Sequence, residues 1–138
     1  MSLNTTVKNR IASLVATPAL NSLLALAARA LMAFIFIVAG YGKITDYAGT
    51  AGYMASMGVP EFLLPLVILV EFGGGIELLI GFQTRIAAGA LAGFCVISGF
   101  IFHATPDQQI MLAKNLALAG GLLAFVRTGA GRPSVDGE

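Results

Sequence analysis

Residues 61–82 read EFLLPLVILVEFGGGIELLIGF. The run is long enough to cross a hydrocarbon core of about 30 Å as a helix. Yet Glu71 stands at its middle and Glu77 follows within two turns. A charged side chain at mid-bilayer costs roughly 2.5–3.5 kcal/mol even on lenient insertion scales, so it is tolerated where it pairs or faces a cavity. This stretch therefore predicts both a membrane-spanning helix and a polar feature buried inside it.

Three further apolar runs flank it. Residues 20–40, LNSLLALAARALMAFIFIVAG, carry Arg29. Residues 85–103, RIAAGALAGFCVISGFIFH, end on His103, and residues 108–126, QQIMLAKNLALAGGLLAFV, hold Lys114 beside Asn115. The whole chain of 138 residues is 57% hydrophobic and 11% charged, with a mean hydropathy of +0.88. A soluble domain carries about 25% charged residues, so this surface is not built for water. The fold class expected is all-α: a four-helix transmembrane bundle over residues 19–127, multi-pass in a bacterial inner membrane. A net charge of +1 supplies no basic face, which argues against a nucleic-acid partner. One cysteine, Cys95, excludes an intramolecular disulfide and a paired-thiol centre.

The segments outside the spans are short. Residues 1–18 are polar and do not read as a cleaved signal. Within them Val7, Ile11, Leu14 and Val15 follow helical spacing, which suggests a short interfacial helix ending near Pro18, the alternative being a frayed polar tail. The first loop, YGKITDYAGTAGYMASMGVP at residues 41–60, carries Tyr41, Tyr47 and Tyr53, residues suited to a membrane interface. Asp46 is placed to cap a short helix from Tyr47 to Met57, which Gly58 and Pro60 would stop. Residues 128–138, rich in Gly and Pro, read as a flexible tail. Lys8, Arg10, Arg85, Arg127 and Arg132 fall on one side of the bundle and only Lys43 on the other, with His103 at its edge. The positive-inside rule then puts both termini in the cytoplasm.

The buried charges form the candidate site. At about 1.5 Å per residue, Arg29 and Glu71 come out at similar depth near the midplane. That suggests a bidentate guanidinium–carboxylate pair. Lys114 lies about 10 Å below the outer surface by the same count, within reach of Glu71, and Glu77 lies nearer the cytoplasmic surface. Arg29, Glu71, Glu77, Lys114 and Asn115 are thus the candidate ligand-binding residues, with Lys43 and His103 at an outer rim. A cleft between spans one, two and four is expected, opening outward, with Gly73 to Gly75 thinning the wall or letting helices close in. The bland alternative is a lock, in which buried ionic groups fix helix register at a cost in stability. No metal site is expected: His103 is the single histidine, and Cys95, Met32, Met54, Met57 and Met111 read as packing residues.

ARALMAFIFIVAGYGKI, GVPEFLLPLVILVEFGGGIELLIGFQTR, FIFH and MLAKNLALAGG, taken together, resemble the DoxX family of small four-span bacterial inner-membrane proteins. The likeness covers about Ala27 to Gly121. The family pattern carries the Arg29, Gly40, Lys43, Glu71, Gly81, Arg85, His103, Lys114 and Asn115 positions. Relatives include subunits of thiosulfate:quinone oxidoreductase and a membrane partner of redox-stress enzymes. The resemblance implies an accessory subunit of a quinone-linked redox system, with quinone as ligand and a redox protein as partner; a second copy of the chain is the other candidate partner. The chain itself carries no dinucleotide fingerprint and no haem-ligand pair, so no intrinsic cofactor and no autonomous catalytic residue are assigned. The competing reading is a non-catalytic membrane protein that binds a lipid or small molecule, or an assembly partner whose charges are only a lock.

Overall fold

In a computed structural model describing residues 1–138, the chain is helical from Leu3 to Thr128 apart from short turns, and it contains no strand. Helix α1 spans Leu3–Val15, α2 Pro18–Thr45 and α3 Tyr47–Ser56. The second membrane span, Glu61–Ile80, is composite. It opens with a 3₁₀ turn, continues as α4 (Leu64–Ile68), widens into a π turn at Leu69–Gly73 and ends as α5 (Gly74–Ile80). Helix α6 covers Thr84–Phe102, and α7 covers Gln109–Thr128 after a 3₁₀ turn at Pro106–Gln108. Four helices are long and apolar enough to cross a membrane.

Local chemistry explains the boundaries. The Ser2 hydroxyl accepts the Thr5 N–H at 3.2 Å and caps α1; Pro18 then opens α2 at a position where its missing N–H costs nothing. None of α1 is buried, and its apolar stripe of Val7, Ile11 and Leu14 stands about half exposed. Such a stripe suits the membrane interface. The loop helix forms as expected, but Asp46 makes no side-chain capping bond to it. The second span ends at Gly81, whose φ of +72° favours glycine. There the Phe82 N–H reaches back to the Glu77 carbonyl at 2.9 Å, closing the helix with left-handed C-cap geometry.

Packing runs in series: α2 lies on the second span, that span on α6, and α6 on α7. Close approaches at small residues set the registers. A methyl group on Gly40 would sit 2.6 Å from the Phe72 Cβ, and one on Gly75 would sit 3.0 Å from Ile37. A methyl on Gly99 would meet Leu112 at 3.1 Å and Asn115 at 3.2 Å. The shared core includes Ala33 and Phe36, Leu78, Leu91 and Cys95, and Leu122. Only 24 of 138 residues are buried, while Leu31, Phe34, Phe62, Ile86 and Ile110 stand at least 68% exposed. Such an outer surface is unsuited to water. Hydrocarbon solvates it.

The tail read as flexible is bonded to the bundle. The Val135 and Asp136 N–H groups donate to the Ile80 and Gly81 carbonyls at 3.1 and 2.8 Å. The Asp136 carboxylate accepts the Gln83 and Thr84 N–H groups at 2.8 and 2.9 Å. It thereby caps α6 from 52 residues away, at the helix end where the macrodipole favours an anion. Those two bonds, with the Arg29 charge adding to them, hold Asp136 below the ordinary carboxylate range. Arg85 completes the face by donating to the Val126 and Arg127 carbonyls at 2.8 and 2.7 Å, capping α7, and by pairing with Glu138 at 3.2 Å. The glycines and proline that suggested mobility instead allow a tight turn under the bundle.

Candidate functional site

Arg29, Ala33, Phe36 and Gly40 are the buried residues of α2. They recur at helical spacing, and the same stripe reaches Lys43 one turn further on. One face of α2 thus carries a cation near each end. The packing register decides which one meets Glu71. Gly40 lies against Phe72 and Gly75 against Phe36 and Ile37, so Arg29 is level with Gly81 at the terminal face rather than with Glu71.

The expected Arg29–Glu71 pair is therefore absent. Glu71 pairs with Lys43, Nζ to Oε1, at 2.6 Å. Ten residues of antiparallel offset separate Arg29 from that level, about 15 Å along the axis. Arg29 is 1% exposed and donates from Nη2 to the Pro133 carbonyl, with Asp136 supplying the nearby negative charge. Its task is to hold the tail. Lys114, expected within reach of Glu71, makes no ion pair; its nearest polar contact is the Met111 sulfur at 3.9 Å.

Glu71 lies within the π turn. A π turn inserts one residue into the helical ladder and is frequent at functional sites. Here it accompanies the change of face between Leu64, on the opposite half of the bundle, and Leu78 in the central core. The three glycines Gly73 to Gly75 do not line the cavity beside Glu71. Gly74 and Gly75 let Leu91 and Ile37 approach closely, so they build helix contacts rather than thin a wall.

Beside the Lys43–Glu71 pair lies a cavity of about 380 Å³. Its polar wall includes Lys43, Glu71, His103, Lys114 and Asn115, and its apolar wall includes Phe36, Phe94, Cys95 and Phe102. Five of the seven sequence candidates thus converge there. Arg29 and Glu77 do not belong to it. The cleft expected between three spans is built from all four, together with Thr50, Tyr53 and Met54 of α3. Tyr53 stacks on Phe102 with ring centroids 5.4 Å apart. Both Tyr53 and Ile97 are exposed on the outside of the bundle, so the cavity reaches the lipid-facing surface.

The hydrogen-bond inventory shows what the cavity offers. Asn115 spends its amide N–H groups on the Cys95 carbonyl at 3.1 Å and the Ser98 hydroxyl at 3.4 Å. His103 engages Gln108 through Nδ1 at 3.0 Å, leaving Nε2 free. The Lys114 ammonium and the Tyr53 hydroxyl remain available to donate to a guest, beside aromatic faces. That set suits a compact head bearing oxygen acceptors on an apolar body. Reasoning from sequence missed Lys43 as the partner of Glu71, and Tyr53 and Ser98 as wall residues. The helical spacing from Phe36 to Lys43 was the legible clue to the first; nothing local marks the others.

Comparison with known proteins follows the same lines. The DoxX family model matches residues 24–104. The chain is 53% identical over 114 residues to the inner membrane protein YqjF of Escherichia coli (strain K12), covering 80% of this chain and 88% of that one. It is 33% identical over 123 residues to the inner membrane protein YphA of the same organism, covering 82% and 88%. A more distant relative, CatD of Bacillus subtilis (strain 168), is 29% identical over 101 residues, 67% of this chain and 75% of its own; its name provisionally calls it an oxidoreductase. No solved structure matches the chain.

Proposed function

We propose that this chain, which belongs to the DoxX family and is a multi-pass inner-membrane protein, is an accessory binding subunit of a quinone-linked redox system. The cavity beside Glu71 takes the head of an amphipathic molecule with oxygen acceptors, of which a quinone is the redox-active case. The observation that carries the reading is the coexistence of a buried ion pair and a donor-rich cavity open to lipid. Its 380 Å³ fall within the roughly 300–1,000 Å³ of small-molecule sites. A ring would lie among Phe36, Phe94 and Phe102, its oxygens toward Lys114 and Tyr53, its tail leaving past Ile97. The Lys43–Glu71 pair would fix the polar end of the cavity, and electrons would come from a partner protein. The name of CatD supports the redox part of this reading.

The test is mass spectrometry of molecules extracted from gently solubilised protein, compared with Glu71→Gln. That change keeps shape and hydrogen bonding but removes the charge opposite Lys43. A co-purifying amphipath that is depleted in a folded Glu71→Gln protein supports the proposal; unchanged retention sinks it. A second reading has its own observation, since the Lys43–Glu71 bond alone ties α2 to the second span. A folded wild type that carries no guest, and a Glu71→Gln variant that loses only stability, would favour that structural role.

A further inference from the structure

The cavity wall carries two ammonium groups and one carboxylate. Lys43 and Glu71 satisfy each other at 2.6 Å. That leaves Lys114 with a thioether at 3.9 Å as its nearest polar contact and no carboxylate within ion-pair distance. Neither Glu77 nor Asp46 lines the cavity, so no other acid can serve. An ammonium held within a membrane span without a counter-ion is expensive, and such residues take a partner or mark a ligand path. The neighbouring Tyr53 hydroxyl is also a donor. The Asn115 side-chain oxygen takes no hydrogen bond from Lys114, whose one polar contact is the Met111 sulfur, and the Asn115 N–H groups go to Cys95 and Ser98.

We infer that the cavity selects an amphipath with an anionic oxygen head, a carboxylate on an apolar chain, over one with a neutral head, and that Lys114 is the residue that binds it. This rests on the cavity being a ligand site, and it narrows the occupant. A carboxylate placed at Lys114 completes a second ion pair and leaves the wall neutral. Its chain then follows Phe94, Ile97 and Leu118 toward lipid. For a quinone, the consequence is that the neutral oxidised form is the weaker guest.

The experiment uses the full chain in detergent, titrated with dodecanoate, 1-dodecanol and neutral decylubiquinone. Dodecanoate should bind at least about tenfold more tightly than dodecanol, the range of a charge-assisted hydrogen bond. Lys114→Met should erase the difference and Lys114→Arg should keep it. Mass-spectrometric footprinting by reductive methylation of the wild type provides a measure that needs no variant. Dodecanoate should protect Lys114 from methylation, and dodecanol should not. Equal affinity of acid and alcohol, a preference that survives Lys114→Met, or no protection of Lys114 would overturn the inference. Decylubiquinone binding that ignores dodecanoate would overturn it as well, while leaving the cavity as a quinone site. If none of the three probes binds, the site reading fails with it.

Discussion

The Lys43 ammonium and the Glu71 carboxylate meet at 2.6 Å, from the end of α2 and the middle of the second span. Glu71 is 7% exposed and Lys43 26%, so each would be costly alone. Lys43→Met or Glu71→Leu should each destabilise the protein by about 3–5 kcal/mol, and the double change by clearly less than their sum. Unfolding of the four proteins in detergent measures this. Arg29→Met combined with Glu71→Leu should be additive, because those residues do not touch. Strong coupling there would refute the register.

That register depends on Gly40. Its Cβ, if present, would lie 2.6 Å from the Phe72 Cβ and 2.8 Å from the Phe72 backbone nitrogen, and backbone cannot yield cheaply. Gly40→Ala should cost about 1–3 kcal/mol, as overpacking does. Gly120 sits in α7 with nothing within 4 Å of its would-be Cβ. Gly120→Ala should therefore leave stability unchanged or raise it by up to about 1 kcal/mol through helix propensity. Thermal unfolding of the two variants side by side checks the contrast.

Asp136 makes tail docking sensitive to acid. Its carboxylate is held below the ordinary range by the Thr84 and Gln83 N–H groups. Docking is therefore supported above the unfolded value of about 3.9 and lost as pH falls through the lower folded value. Amide exchange at Gln83 and Thr84 should accelerate over that interval. In Asp136→Asn the same amides should exchange faster at neutral pH and lose this acid-dependent step. Exchange that is identical in the two proteins would show that the cap is not formed.

The positive-inside rule predicts both termini in the cytoplasm, which would put the cavity in the outer half of the membrane. Cys95 is 2% exposed, so background labelling is low. A cysteine at Thr50, on α3, should react with an impermeant maleimide added outside spheroplasts. Labelling at that position from the cytoplasmic side alone would reverse the topology.

How far the sequence reaches can be judged from Glu71 and its neighbours. The four spans, the loop helix and the short N-terminal helix α1 were legible because each depends on local hydropathy, spacing and breakers such as Pro18 and Gly58. That Glu71, Lys114, Asn115 and His103 stand out was legible too, since an ionisable or amide group in an apolar run is anomalous wherever the helix lies. Which group meets which was not. Arg29 and Lys43 occupy the same face of α2, and counting from the ends of the apolar run favoured the wrong one. Only the close fit of Gly40 under Phe72 and Gly75 beside Ile37 slides the helices into the register that gives Glu71 to Lys43 and Arg29 to the tail. That decision belongs to tertiary structure because it rests on the shapes of residues more than thirty positions apart, which no local pattern encodes. The unpaired state of Lys114 follows from the same choice.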